Sequence, residues 1–209
     1  MKGIIMLLTE MELKPIRVEQ LHAANNLAKS HQWFARSLYQ GAKKPDRYLF
    51  RLLQLADGTV KLFLLSQNKP NYKILAKYGR LKTIMTKPYQ VDLTNTKDVN
   101  FNLLASPTYR SKKTHKLMPL TNFKMQKNWL TAKGKINGFK VNHVRVISEQ
   151  MTSYQHDENS QKIDFKLIEF QGTLTITNKN KFEKALINGI GRNKSYGLGM
   201  LLLEPELIK

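Results

Sequence analysis

The order strand, helix, strand, strand, helix, strand can be read twice along this 209-residue chain, and no other feature limits its possible folds as tightly. In the first reading, Ile4 to Leu8 forms a short buried strand. Val18, Leu21, Ala24 and Ala28 then recur at spacings of three and four, which predicts an amphipathic helix from about Pro15 to about His31. Trp33, Phe34, Leu38 and Tyr39 extend it as a second short helix, and Gly41 to Asp46 is a loop. Arg47 to Leu55 and Thr59 to Ser66 make a hairpin around Asp57-Gly58, a strong turn dipeptide. Asn71 to Tyr78 is a short helix and Leu81 to Val91 the closing strand. The second reading runs through a strand at Val99 to Ala105, a helix from Leu120 to about Lys133 and long strands at Gly138 to Ser148 and Lys162 to Ile176. It ends with a helix at Asn178 to Asn188 and a strand at Met200 to Leu203. The expected fold is α+β: two tandem ferredoxin-like (RRM-like) βαββαβ domains. Residues 1–91 and 99–209 form the domains, and the polar stretch 92–98 is the linker.

In the long strands the apolar phase slips by one residue. Phe139 and Val141 give way to Val144 and Val146, and Ile163, Phe165 and Leu167 give way to Ile168 and Phe170. Such slips predict bulges or a bent ribbon. Lys140, His143, Arg145, Lys162 and Lys166 beside them would give that ribbon a basic face. Before the last strand stands Gly189-Ile190-Gly191-Arg192-Asn193-Lys194-Ser195-Tyr196-Gly197-Leu198-Gly199. Glycines permit positive φ and close backbone approach to a ligand, and Arg192 and Lys194 add charge beside the loop amides. A helix enters this loop and a strand leaves it, the reverse of the dinucleotide fingerprint, and the Walker pattern is missing. A phosphate backbone is therefore the more natural anion, against a plain glycine-rich turn.

The charge balance names the partner class. Thirty-five Lys and Arg face 15 Asp and Glu, a net charge of +20, which favours a polyanion with salt-dependent affinity. No long apolar span or basic amphipathic helix with aromatic anchors favours a membrane. With no cysteine there is no disulfide, thiolate metal site or Cys nucleophile, and a cytoplasmic location fits. The run Ser106 to Lys116 holds Arg110, Lys112, Lys113, Lys116 and His115 with no acid, and reads as a phosphate-binding loop. Arg36 belongs to a second basic group with Lys43, Lys44 and Arg47. The RNP1 aromatic pattern is absent, so shape and phosphate recognition of structured RNA is expected over base stacking on a sheet.

None of the five histidines, His22, His31, His115, His143 and His156, shows a metal-binding spacing, and no metal or cofactor is expected. His22 stands out on the first helix, with Glu19 three residues before it and Lys29 seven after, on one face beside the apolar stripe. An imidazole there can exchange protons near neutrality, Glu19 can orient it and Lys29 can contact phosphate. A surface helix histidine is the alternative.

Phe170-Gln171-Gly172-Thr173-Leu174-Thr175-Ile176, followed by a helix and the loop G-I-G-x-x-K-S-x-G-x-G-x-L, resembles the CasE family, CRISPR RNA-processing endoribonucleases of type I-E Cascade systems. Ile147-Ser148-Glu149, Leu21-His22 and Arg47-Tyr48-Leu49-Phe50-Arg51 fit the same resemblance, which spans essentially the whole chain. The resemblance implies metal-independent cleavage of precursor CRISPR RNA at the 3′ base of the repeat stem-loop. The 2′-hydroxyl attacks, leaving a 2′,3′-cyclic phosphate and a 5′-hydroxyl, and the product hairpin is kept with the other Cascade subunits. His22 falls where the family's catalytic histidine sits. Where many relatives carry a tyrosine, this chain has Glu19, so the second proton-transfer role is open among Glu19, another residue and His22 alone. Lys29, Lys194 or Ser195 would stabilise phosphate charge. Gly189, Gly191 and Arg192 belong to the RNA-holding loop, and Lys140 and Arg145 to a ribbon entering the stem's groove. The alternative is a subunit that binds a repeat hairpin without cutting it.

Overall fold

The structure is a computed structural model that describes residues 5–17, 27–39, 47–93, 99–154 and 163–203. The chain divides into two compact units, one of residues 1–89 with 195–197 and one of residues 90–194 with 198–209.

The first unit runs β1 (Leu7–Lys14), α1 (Leu27–Leu38), β2 (Leu49–Gln54), β3 (Val60–Ser66), α2 (Tyr72–Leu75, continued by a 3-10 turn Ala76–Tyr78) and β4 (Arg80–Pro88). The sheet order is β2-β3-β1-β4, antiparallel throughout, which is the ferredoxin-like arrangement. β1 lies further along the chain than the expected Ile4 to Leu8. Its Met11 and Leu13 are buried while Glu10 and Glu12 alternate with them towards the other face. The two acids are the solvent side of a half-buried strand. Glu12 faces Lys61 of β3 at 3.8 Å. α1 is continuous through the stretch expected to be a separate short helix. It sends Trp33, Phe34 and Leu38 into a core with Phe50, Leu62, Leu64 and Leu75. The β2-β3 turn is as expected: Leu55 N donates to Thr59 O at 2.8 Å, and Asp57 Oδ1 accepts from Thr59 N at 2.9 Å.

The second unit runs β5 (Val99–Ala105), a small hairpin of β6 (Thr108–Arg110) and β7 (Leu117–Pro119), α3 (Phe123–Asn137), β8 (Phe139–Tyr154), β9 (Ile163–Ile176), α4 (Lys179–Asn188) and β10 (Leu201–Leu203). Its order, β10-β5-β9-β8, repeats the first sheet's topology. Alternation buries Val99, Phe101, Leu103 and Ala105 of β5 together with Ile168, Phe170 and Leu174 of β9. α4 closes this core with Phe182, Ala185 and Leu186, and its Asn178 side chain accepts from Lys181 N at 3.0 Å. α3 starts and ends later than expected. Asn122 caps it, and buried Gly134 is tolerated inside the helix because Phe139 folds back against it. The stretch expected to be a basic loop is the β6-β7 hairpin, with Ser111 N donating to Lys116 O at 2.9 Å across its turn.

The ribbon of β8 and β9 is bulged, but both extra residues, Asn142 and Ile147, lie on β8. The phase change at Leu167 and Ile168 of β9 carries no extra residue, because these two pair in register with Gln150 and Glu149. Among the described residues, no helix is long and apolar enough to cross a membrane.

Candidate functional site

The bulge at Asn142 decides what the second sheet presents. Lys140 and Arg145 differ in strand parity, and an unbroken strand would point them to opposite faces. With Asn142 set outside the strand register, Lys140, His143 and Arg145 lie opposite Thr175, Thr173 and Gln171, which share one face of β9. Asn100 and Asn102 of β5 pair with Thr173 and Gln171, so that face continues as a polar surface. An open groove of about 660 Å³ runs beside it, with Lys127 of α3 at its edge. Arg145 donates twice to Gln171 Oε1, at 3.2 and 2.7 Å, which fixes the guanidinium over the sheet. Among the described residues that line the groove, His143 carries the one aromatic ring, and there is no Phe, Tyr or Trp. Lys166, expected to add to the basic face, is ion-paired with Glu149, whose carboxyl pKa is lowered chiefly by that hydrogen bond. Lys162 lies outside the described residues.

Arg110, Lys112, Lys113 and Lys116 are all exposed on the β6-β7 hairpin, and Arg110 Nη1 donates to His115 O at 2.6 Å across it. That bond holds one cation of the hairpin in a fixed place. Arg36 is exposed in the last turn of α1, and Lys29 is exposed two residues before His31 on the same helix.

The glycine-rich loop closes on itself. Ile190 N donates to Gly199 O at 2.7 Å and Gly199 N to Leu104 O at 2.8 Å, while Ile190 and Leu198 are buried. The Gly189 amide donates to Ala185 O at 2.8 Å and so serves the end of α4, not an anion. Gly191 lies against the Trp129 ring. Arg192 and Ser195 are exposed and Lys194 half-buried, with Lys194–Tyr196 forming a 3-10 turn. Ser195, Tyr196 and Gly197 belong to the first unit. Gly197, at φ +80°, has no room for a side chain, because a Cβ would lie 2.7 Å from the Phe50 ring.

That turn reaches a histidine the sequence left in the background. The His31 ring is half-buried. It stacks on Tyr48 (centroids 6.1 Å apart, 10° between planes) and meets Tyr196 edge-on at 6.1 Å. Tyr48 Oη lies 2.9 Å from His31 Nδ1 and 3.3 Å from the His31 carbonyl. Burial lowers the imidazole pKa from 6.5, and a backbone hydrogen bond with Ser195 pulls less strongly the other way. Burial also raises the Tyr48 phenol pKa, so it stays protonated and able to donate. The result is a neutral imidazole at pH 7, held through Nδ1 on one side and by the Ser195–Tyr196 turn on the other. Its pKa is lower folded than unfolded, so the unfolded chain binds the extra proton as pH falls. The stability it contributes is therefore complete above pH 6.5 and is lost as pH drops from there through the folded-state value. Urea titrations between about pH 5 and 8 are expected to show this decline, and His31→Gln to flatten it.

His22 and Glu19 lie outside the described residues. The sequence missed His31 because its partners are remote. Tyr48 is 17 residues away and Tyr196 lies at the far end of the chain. The available signal was the helical stripe Trp33, Phe34 and Leu38, which carries α1 through His31 and leaves that ring off the apolar face. Among the described residues, no group of three or more His, Cys, Asp or Glu gathers to hold a metal.

The chain is 21% identical to the CRISPR-associated endoribonuclease Cse3 of Thermus thermophilus over 212 residues, 96% of this chain and all of that protein. The structure of Thermus thermophilus Cse3 bound to an RNA representing a pre-cleavage complex superimposes with a TM-score of 0.80 (21% identity, 96% of this chain, 100% of that one). Cas6e from Escherichia coli K-12 does so at 0.67 (23%, 95% and 99%), and a chain of a CRISPR RNA-guided surveillance complex at 0.58 (20%, 94% and 98%). The model of the CRISPR associated protein family matches residues 6–205. The resemblance seen in the closing loop is thereby borne out, and the chain belongs to the CRISPR associated protein family.

Proposed function

We propose that this protein is an endoribonuclease that processes CRISPR repeat RNA, with the His31 imidazole as the proton-transfer group at the scissile phosphate. The observation that carries the assignment is that ring, held neutral by burial between Tyr48 and the Ser195–Tyr196 turn. In the proposed step, the imidazole nitrogen opposite Nδ1 takes the proton of a ribose 2′-hydroxyl. The 2′-oxygen attacks the adjacent phosphorus, the P–O5′ bond breaks, and the 5′-oxygen takes a proton from water, to which the imidazolium then gives up its own, leaving a 2′,3′-cyclic phosphate, a 5′-hydroxyl and a neutral ring. In the tautomer this step requires, Tyr48 Oη would donate to the His31 carbonyl and accept from Nδ1–H, and substrate would displace the ring's contact with Ser195, leaving the opposite nitrogen as the base. Ser195 on the turn beside the ring would offset charge on the non-bridging oxygens, as would its chain neighbour Lys194 and Lys29 on α1. The pair His22 and Glu19 is the competing assignment of the same role.

Lys140 and Arg145, gathered on one face by the bulge, and the cations of the β6-β7 hairpin would hold the stem. Similarity to a chain of an RNA-guided surveillance complex and to a Cse3 bound to RNA supports an RNA partner and a place in such a complex; a stem-loop as that RNA, other Cascade subunits as neighbours and a cytoplasmic location complete the proposal. The cut is proposed at the 3′ base of the stem, without a metal ion. Purified protein incubated with end-labelled repeat hairpin in EDTA is expected to cut once and leave a cyclic phosphate end. Hairpin held tightly but uncut would replace the enzyme reading with the hairpin-binding one, and a cut that requires Mg²⁺ would overturn the proposed chemistry.

A further inference from the structure

The helical side of the first unit holds a cavity of about 300 Å³, lined by neither His31 nor Tyr48. Its floor is Trp33, 1% exposed, whose ring lies 4.2 Å from that of Tyr78. The indole N–H donates to Ile74 O at 3.2 Å, and a ring this buried offers an occupant almost no surface of its own. Half-buried Tyr78 and exposed Tyr39 supply ring surface at the walls, and exposed Arg36 and Lys77 put two cations at the rim. Among the described residues no carboxylate lines the cavity. A matching occupant is flat and unsaturated on one side and anionic on the other, which describes a nucleotide: base against the rings, phosphate towards the cations. The volume is at the small end for ligand pockets and too narrow for a duplex.

We propose that this cup binds one unpaired nucleotide of the RNA flanking the repeat stem-loop. The proposal rests on the RNA-processing reading above and adds to it a single-strand subsite on the first unit. Trp33 and Arg36 of the cup lie on α1, the helix that also carries His31. A strand engaged there would be tethered close to the proposed cleavage point.

The test uses two uncleavable repeat stem-loops with a 2′-deoxy scissile nucleotide, one bare and one extended by four uridines at each end, titrated against the full chain. One stacked base contributes about 1–3 kcal/mol, so the extension is expected to tighten binding by roughly 5- to 150-fold. In Arg36→Ala/Lys77→Ala that gain should shrink. The slope of log affinity against log salt for the extended RNA should also fall by about 0.7, from one lost single-strand phosphate contact. Tyr39→Ala, which alters an exposed ring, should remove part of the gain with little change in slope. With 4-thiouridine in the extension, light-induced adducts are expected on the peptides carrying Tyr39 or Tyr78. A double variant that keeps the full gain and slope, or adducts confined to the second unit, would overturn the proposal. Cleavage of an all-ribose repeat stem-loop that keeps its scissile nucleotide is the separate control: if it is cut while the extension adds nothing, the subsite fails and the nuclease reading stands. If it is not cut at all, the nuclease reading fails first.

Discussion

Replacing His31 by alanine is expected to slow repeat-RNA cleavage by about 10²- to 10⁴-fold, the range for removing one positioned proton-transfer group, with RNA affinity nearly kept. The loss should fall on kcat, because the ring acts on the reacting atoms and most of the binding comes from cations elsewhere. Single-turnover rates on a labelled hairpin measure it, with thermal unfolding as the check on folding. Burial lowers the imidazole pKa, so the rate should stay high below pH 6.5 before it falls, whereas an exposed histidine would begin to lose its neutral form near that value. Tyr48→Phe should keep the stack and lose the 2.9 Å contact to Nδ1, giving a smaller fall in kcat. His22→Ala is the decisive companion. If it abolishes cleavage while His31→Ala cuts at the native rate, the catalytic role belongs to residue 22 and the Tyr48–His31–Tyr196 group is structural.

Gly172→Ala is expected to destabilise the second unit by about 3 kcal/mol or more, at the upper end of what overpacking costs. Gly172 lies on β9 opposite Val144, and a Cβ there would fall against the His143 carbonyl. The obstacle is backbone, so no rotamer change relieves it. The partner strand must move at the very place where the Asn142 bulge has already shifted its register. Urea unfolding followed by Trp129 fluorescence in a Trp33→Phe background would report this unit, because Trp129 lies on α3, 6.2 Å from Phe170. The same distortion would disturb the placement of Arg145 over Gln171, so weaker hairpin binding should accompany the lost stability. Unchanged stability would mean that the ribbon adjusts freely and that the groove beside it is not a fixed surface.

These two residues mark different limits of legibility. Gly172 was visible in the sequence within the F-x-G-x-L-x-I strand, and the structure added the carbonyl that forbids a side chain. His31 was visible only as one histidine of five. Its chemistry comes from Tyr48 and Tyr196, and no local spacing encodes a contact between residues that far apart. The phase slip in β8 was legible because a bulge rewrites the apolar alternation within one strand. Its consequence, Lys140 joining His143 and Arg145 on one face, depends on the register against β9. The neutralisation of Lys166 by Glu149 was likewise hidden, since the pair forms across the ribbon.

By itself the sequence determined what short-range patterning and composition can carry: two βαββαβ orders, the Asp57-Gly58 turn, the buried face of α4, a polyanion partner and a loop too rich in glycine for ordinary backbone. Tertiary structure alone decided which strands lie side by side, which cations gather on one face of the ribbon and which histidine lies against the Ser195–Tyr196 turn. The physical reason is range. Helix and turn preferences act over a few residues, whereas the burial that keeps an imidazole neutral depends on groups brought together only by the completed fold.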